Sequence, residues 1–350
     1  MSRGKIDTEK LKEAAKEAAK EAAEKAKENA KTAVSKAKES AKENADKAKE
    51  SFGKAKESLT VAKDAAAAKL DADGDGQVGI EDVIILSLKS PGVYINRASF
   101  LKKQLFKNHP QEVIDKAIST TPALAGISSE EIDLIADAAI ISERTKVSGI
   151  SATLGAPGGL AMAATIPADI IQYYGFTLRA IQKLLYLYGF PDVDADEAEG
   201  LQLDEQTMNT IVLCLGTMYG VAGANNAIKA VARGLANGVN KKLMSMALTK
   251  GTVFPFVREV SKWFGIRLTK SMFSGAISKA IPVVGGVIGG GLTFVSFKPC
   301  CDRLKKELKD TLLANPEHKA SDEELEVYNS IIGENVIEAE FSEIDTKTES

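Results

Sequence analysis

The stretch IPADIIQYYGFTLRAIQKLLYLYGFPD, residues 166–192, reads as one long, tyrosine-rich helix and indicates a helical fold. Pro167 suits the first helical turn, and Asp169 suits the positive end of the helix dipole. Gly189 is a typical C-terminal cap, and Pro191 prevents the helix from continuing. The sequence therefore predicts a single helix bounded by these four residues.

Four polar residues interrupt the apolar surface of this helix: Asp169, Gln172, Arg179 and Gln182. A catalytic interpretation would require a base and a nucleophile that converge on one point, and the sequence shows no such pair. We therefore interpret Asp169 as a residue that serves the helix terminus and Arg179 as a partner in a structural ion pair. The alternative, a hydrolase with an unrecognised site, would depend on Asp169 or Arg179.

Other catalytic signals are missing from the sequence. His109 and His318 have no neighbouring histidine with which to bind a metal ion. No GxSxG, phosphate-binding Gly-Lys-Ser or Cys-x-x-Cys motif occurs. The three cysteines are too few for a disulfide framework, and the first residues lack the apolar core of a secretory signal. We expect a protein without enzymatic activity in a reducing, cytoplasmic setting.

A second helix start is visible in ISSEEIDLIADAAIISERTK, residues 127–146. Ser128 and Glu131 have the spacing of a capping box, and Ile127 and Ile132 have the spacing of a hydrophobic staple. The amphipathic pattern that follows predicts a helix through about Lys146.

Three uncharged runs flank these helices: Val147–Ala168, Gln206–Ile228 and Ala280–Phe297. Their lengths approach the roughly 20 apolar residues that span a bilayer. Their prolines, glycines and asparagines lower the hydropathy, however, and each run is marginal for insertion. We therefore favour buried helices or membrane-dipping hairpins over true membrane spans.

A basic cluster follows the third run and consists of Lys298, Arg303, Lys305, Lys306 and Lys309. If the run enters a bilayer, this cluster would face the cytoplasmic side. We interpret Cys300 and Cys301 as cysteines at the start of a helix, with acylation as the alternative.

The stretch LDADGDGQVGIED, residues 70–82, has the pattern of an EF-hand loop. Calcium takes about six to eight oxygen ligands, and alternate residues of a tight loop direct theirs inward. The predicted ligands are the side chains of Asp71, Asp73, Asp75 and Asp82 and the backbone carbonyl of Gln77. EF-hands usually end on glutamate, so the shorter Asp82 predicts weaker calcium binding and better tolerance of magnesium.

This loop resembles a dockerin-type EF-hand repeat, which has aspartate at the last position and a leucine, here Leu86, four residues later. Dockerins carry two such repeats and recruit cohesins, and the single repeat here does not imply that partner. A second acidic run, residues 191–200, lacks the central glycine and the terminal carboxylate, so we interpret it as a solvated loop.

Residues 1–70 form a separate segment rich in alanine, lysine and glutamate, with 18 Lys and Arg against 13 Asp and Glu. KAKE begins at residues 25, 36 and 47, an eleven-residue period that gives a helix a narrow, alanine-lined face. The repeat resembles those of late-embryogenesis-abundant proteins and apolipoproteins. A solvated helical spacer or disordered arm, a lipid-surface helix and a coiled-coil partner all remain open. Nucleic-acid binding is not expected, because Glu is interleaved with the basic residues.

A family resemblance covers roughly residues 90–313. The run from Pro167 to YLYGF, together with AIPVVGGVIGGG and the charged helix after it, resembles the EcsC family of bacterial proteins. This resemblance implies a mainly helical domain and carries over no activity and no catalytic residues.

The sequence therefore predicts an all-α protein with four parts: a charged arm at 1–70, a calcium loop and exiting helix at 71–89, an EcsC-like helical bundle at 90–315 and an acidic tail at 316–350. The tail alternates apolar and acidic residues around Phe341, so it could add a strand to a sheet edge or remain a disordered acidic end.

We predict a non-enzymatic, membrane-associated protein that meets a membrane surface or lipid, with calcium fixing a hinge between arm and core. The arm or tail could bind a protein partner. The rival prediction is a soluble scaffold or a carrier of a small apolar ligand or lipid.

Overall fold

A computed structural model describes residues 71–72, 78–154, 160–193, 195–196, 202–274 and 290–333. All of these residues belong to one compact unit, Ala62–Ser350. The predicted arm at 1–70 and the strand-like pattern around Phe341 lie outside the described residues. The predicted all-α fold is confirmed.

The helices are, in chain order, α1 (Ile80–Leu88), α2 (Arg97–Leu105), α3 (Gln111–Ser119), α4 (Ser129–Leu154), α5 (Leu160–Leu187), α6 (Glu205–Tyr219), α7 (Ala224–Ala236), α8 (Lys241–Thr249), α9 (Phe254–Ser274), α10 (Gly290–Lys309) and α11 (322–333). A short antiparallel pair, β1 (Ala195–Asp196) with β2 (Gln202–Leu203), precedes α6.

Helix α5, the apolar helix of the opening stretch, lies at the centre of the first half of the domain. It packs against α1, α2, α4 and α10, and Tyr174, Ile181 and Tyr186 are fully buried along it. Helices that are apolar around their whole circumference are stable only when covered on every side. The end of α5 is as predicted: Gly189 has φ +91°, and the N–H of Phe190 donates to the carbonyl of Leu185.

The predicted start of α5 is wrong. The helix begins at Leu160, so Pro167 and Asp169 lie inside it rather than at its first turn. A proline removes a single backbone hydrogen bond, and the preceding alanine-rich turns have high helix propensity, so the helix continues through it. Asp169 therefore does not cap this helix.

Helix α4 begins as predicted. The N–H of Glu131 donates to Ser128 Oγ at 3.2 Å, and Ile127 and Ile132 are both buried. The helix extends eight residues beyond the predicted end at Lys146, to Leu154. Helix α4 packs against both α5 and α10.

The second uncharged run folds back on itself as α6, a turn and the start of α7. Gly220 and Gly223, with φ of +72° and +80°, make this turn. Within the described residues, no helix is both long enough and apolar enough to cross a membrane. Residues 155–159 of the first run and 280–289 of the third lie outside the described part of the chain.

Gly216 on α6 lets three helices approach closely. A Cβ atom at this position would lie 2.4 Å from Val260 Cγ2 and 3.0 Å from Ala224 Cβ. We expect Gly216→Ala to lower the free energy of unfolding by about 1–3 kcal/mol, because the added methyl overpacks this contact. Urea denaturation measures the change. Gly265→Ala on α9 is the matched control: a Cβ there meets nothing within 4 Å, so equal losses for both variants would contradict the account.

The structure corrects one expectation about α10 and shows the contacts of its basic cluster. Cys300 and Cys301 lie in the middle of α10, ten residues beyond its first residue, and not at a helix start. Most of the basic cluster is also engaged within the protein: Lys298 pairs with Asp302, Lys305 with Asp137 and Lys309 with Asp133, and Arg303 donates to the carbonyl of Met218. Four of the five basic residues are therefore engaged within the protein.

The acidic segments are also more ordered than composition indicates. In the run predicted to be a solvated loop, residues 191–200, Asp192 accepts hydrogen bonds from the N–H of Arg97, and Val193 is buried. That prediction is wrong for these residues, because Asp192 caps the start of α2 from a distance. In the segment predicted as an acidic tail, α11 packs into the domain through Glu324 and Ile331, both fully buried.

Candidate functional site

The calcium prediction falls on a loop of which the structure describes both ends. The three central predicted ligands, Asp73, Asp75 and Gln77, lie outside the described residues. Asp82, the last predicted ligand, is 3% exposed in the first turn of α1. Its carboxylate accepts hydrogen bonds from the N–H of Ala72 at 2.9 Å and from the N–H of Gly79 at 2.7 Å.

These two hydrogen bonds bring the ends of the loop together. Ala72 directly follows Asp71, so the first and last predicted ligands lie at the point where the chain closes. The five predicted ligands are all oxygens, the donor type that calcium and magnesium prefer. The residues therefore fit a divalent cation. Among the described residues alone, no group of three or more metal-ligating side chains occurs, so binding would depend on the three central ligands.

A second group of charged residues surrounds Glu143 on α4, whose side chain is 0% exposed. Three cations contact its carboxylate: Arg179 Nε at 3.0 Å, Lys183 Nζ at 2.5 Å and Lys146 Nζ at 3.1 Å. Arg179 also donates to the carbonyl of Gly92. The prediction that Arg179 forms a structural ion pair is confirmed, and its partner is Glu143.

The ionisation of this group reflects its crowding. Burial opposes ionisation of Glu143, but the hydrogen bonds from Arg179 and Lys183 outweigh it and hold the pKa of Glu143 below its ordinary value. For Lys183, burial dominates and lowers the pKa, with the charges of Arg179 and Lys146 acting in the same direction against the hydrogen bond to Glu143. Both pKa values are lowered in a group where a single carboxylate is shared by three cations.

These cations line a cleft of about 450 Å³, which we call the basic cavity. Its charged lining residues are Lys103, Lys146, Arg179 and Lys183, and no carboxylate lines it. Four cations against the one carboxylate of Glu143 leave three positive charges. Asn96, Ser99, Gln104 and Ser142 add polar groups. The volume lies within the range of about 300–1,000 Å³ that is typical of small-molecule sites.

Exposed apolar side chains lie beside the basic cavity. Phe106 at the end of α2 is 56% exposed, and Leu134 and Ile141 on α4 are 71% and 45% exposed. Residues three or four positions apart are neighbours on a helix, so Leu134 and Ile141 flank Ala138, and Phe106 follows Lys103; Ala138 and Lys103 both line the cavity. We call these three side chains and the basic cavity the α2–α4 face.

The two helices of this face are held together at one end. Asn108 Nδ2 donates to Glu131 at 3.0 Å, and His109 Nε2 lies 3.0 Å from the other oxygen of the same carboxylate. The pKa of Glu131 is lower than its ordinary value, mainly because of the hydrogen bond from Asn108. Asn108 and His109 lie three and four residues after Leu105, so this contact ties the turn that follows α2 to the first turn of α4.

Comparison with known proteins gives no match to this chain among family models, curated proteins or solved structures. The resemblances to EcsC proteins, dockerins and late-embryogenesis-abundant repeats therefore stay predictions.

Sequence reasoning missed Glu143, Lys146 and Lys103. One signal was available: the buried side of α4 follows helical spacing through Ile132, Ala136, Ile140, Glu143 and Val147, and Glu143 is its only charged member. A carboxylate on a buried stripe requires cationic partners, and Arg179 and Lys183 are cationic residues within the long apolar helix 166–192. Lys103 carries no such signal, since it is an exposed lysine among several.

Proposed function

We propose that this protein is a non-enzymatic, peripheral membrane protein that meets an anionic membrane surface, on the cytoplasmic side, through the α2–α4 face. The observation that supports this best is the combination at one place of three exposed apolar side chains with a cavity that carries three uncompensated positive charges. Apolar side chains enter the boundary between headgroups and acyl chains, and cations attract anionic headgroups.

The magnitudes support reversible rather than permanent attachment. Each lysine or arginine near an anionic surface contributes about 1 kcal/mol, and burial of a large apolar side chain contributes about 1.5–3 kcal/mol. The charges and the three apolar side chains therefore both contribute to attachment. Lys102 and Lys107, both exposed beside Phe106, extend the positive charge at the edge of this face.

We expect the double variant Phe106→Ser with Leu134→Ser to bind vesicles of phosphatidylcholine and phosphatidylserine at least about tenfold more weakly than wild type, because both apolar contacts are lost. Co-sedimentation over a range of lipid concentrations measures the affinity. The matched control is Leu325→Ser on α11, another exposed apolar residue at 36%. Equal binding by the double variant and wild type would exclude this face.

A second proposal concerns the loop at residues 71–82, where we propose that a divalent cation orders the chain that leads into α1. The supporting observation is the buried carboxylate of Asp82, which closes the loop through the N–H groups of Ala72 and Gly79. Helix α1 is itself anchored, since Ser87 Oγ donates to the carbonyl of Ile171 and Ser261 Oγ donates to Glu81. A cation would therefore act on a fixed end point, as a hinge requires.

Calorimetric titration with calcium tests this second proposal. We expect wild type to bind one calcium ion with a Kd on the order of 10⁻⁴ M, weaker than signalling EF-hands because aspartate replaces the usual glutamate. Asp71→Ala with Asp75→Ala should abolish the signal. Asp194→Ala with Asp196→Ala is the matched control, since it removes two carboxylates from the acidic run that lacks the central glycine. The proposal fails if wild type gives no heat of binding.

A further inference from the structure

We infer that the basic cavity is a binding site for a phosphate monoester group. At the α2–α4 face, this group belongs to the phosphorylated headgroup of a membrane lipid. This inference deepens the proposed function and rests on it for the source of the ligand. The chemistry of the cavity itself can be tested separately, with a soluble phosphate ester.

The protein leaves positive charge uncompensated in the basic cavity. Glu143 contacts Arg179, Lys183 and Lys146, and Lys103 lines the same cavity without a carboxylate partner among the described residues. Buried cations are normally paired, because desolvated charge is costly. Arg179 and Lys183 are 22% and 12% exposed, so solvent screens them only in part, whereas Lys146, at 48%, and Lys103 are exposed at the mouth of the cavity. An anion in the cavity would supply the missing charge.

The cations of the basic cavity also have hydrogen-bond donors that the protein does not use. An ammonium group has three N–H donors, and Lys146 and Lys183 each use one on Glu143. The guanidinium of Arg179 has five donors and uses three, on Glu143 and the carbonyl of Gly92. Two donors therefore remain on each of these residues. They converge on one cavity, whose rim adds the hydroxyls of Ser99 and Ser142.

The amount of uncompensated charge favours a phosphate monoester over a carboxylate. A carboxylate carries one charge and two oxygens, which would leave two of the three positive charges uncompensated. A phosphate monoester carries about 1.5 to 2 negative charges at pH 7 and three strong acceptor oxygens. Arginine and lysine together are the usual ligands of such groups. The cavity volume also leaves room for the alcohol part of the ester beside the phosphate.

Burial lowers the pKa of Lys183, and a bound dianion would oppose that shift. The burial and repulsion that disfavour the charged form of Lys183 would therefore favour the binding of an anion. Glu143 holds three of the cations in place, and it occupies only part of their donor capacity.

The test uses full-length protein and two kinds of vesicle matched in surface potential, phosphatidylcholine with phosphatidic acid, a monoester, and phosphatidylcholine with phosphatidylserine, a diester. We expect wild type to prefer the monoester vesicles by at least about tenfold, since two additional cation contacts contribute about 1 kcal/mol each. Lys103→Gln with Lys146→Gln should remove the preference. Lys250→Gln with Lys319→Gln, two exposed lysines that do not line the cavity, makes the same change in net charge and should retain it.

A second experiment tests the cavity without a membrane, by calorimetric titration of the protein with glycerol 3-phosphate. If wild type binds glycerol 3-phosphate and Lys103→Gln does not, the cavity is a phosphate-ester site. If, in addition, wild type binds neither kind of vesicle, the ligand is a free phosphate ester, and only the membrane proposal is overturned. Lys103 does not contact Glu143, so this single variant should fold normally. Equal binding to both vesicles together with no heat from glycerol 3-phosphate would overturn the cavity inference and leave the membrane proposal standing.

Discussion

Glu143→Gln is expected to lower the free energy of unfolding by about 3–5 kcal/mol, the cost of removing one partner from a buried ion pair. The amide keeps the shape of the carboxylate but supplies no charge, so Arg179 and Lys183 remain largely buried without compensation. Urea denaturation at neutral pH measures the loss. Glu112→Gln on α3 is the control, because Glu112 is exposed and should change stability by less than about 0.5 kcal/mol.

The stability difference between wild type and Glu143→Gln is expected to depend on pH. The pKa of Glu143 is lower in the folded protein than its ordinary value of 4.5, so its ionisation stabilises the fold above that value. This stabilisation is lost as pH falls from 4.5 through the lower folded pKa. The difference in stability between wild type and Glu143→Gln should therefore be constant near neutral pH and shrink below pH 4.5. A difference that stayed constant throughout acidification would show that Glu143 acts through packing rather than charge.

Arg97→Met is expected to lower the free energy of unfolding by about 3 kcal/mol or more, since hydrogen bonds to charged groups contribute about 1.5–3 kcal/mol each and are not fully additive. The Arg97 guanidinium is buried and donates to four backbone carbonyls: Phe190 at 3.0 Å, Ala117 at 3.2 Å, Thr120 at 3.0 Å and Ile118 at 2.5 Å. These carbonyls belong to the end of α3 and to the chain after α5. Methionine fills a similar volume and leaves all four carbonyls without this donor.

Arg97→Lys separates charge from geometry. A lysine keeps the positive charge, but a single ammonium cannot match the planar fork that reaches carbonyls on two sides. We expect it to recover less than half of the lost stability, as measured by the same denaturation. Lys102→Met, an exposed residue of the same helix, is the control for helix propensity. Full recovery by lysine would contradict the geometric account.

The parts of the fold that the sequence predicted are those with local causes. The Gly189 cap and the Ser128 cap depend on residues within one turn of each other, and both are confirmed. The start of α5 was wrong because a favourable local role for Pro167 was outweighed by the helix propensity of the residues before it. Local rules locate helix ends well only where neighbouring segments do not compete.

The basic cavity could not be predicted because it depends on contacts between distant segments. Lys103, Lys146 and Lys183 come from three different helices, and no local pattern in the sequence shows that they line one cavity. The buried Arg97 is hidden for the same reason, since its partners lie twenty and more than ninety residues away. The basic cluster after the third uncharged run illustrates the converse: a clear sequence pattern whose charges pair within the protein.

The central claim, that the α2–α4 face meets the membrane, is tested most directly by a fluorescent reporter of polarity. Leu134→Cys in a Cys300→Ser background would carry an environment-sensitive nitrobenzoxadiazole label, and Lys250→Cys at the end of α8 would carry it as a control. Mixing with vesicles that contain phosphatidylserine should shift the emission of the label at residue 134 to the blue and leave that at residue 250 unchanged. Unchanged emission at residue 134 in protein that co-sediments with the vesicles would contradict the account.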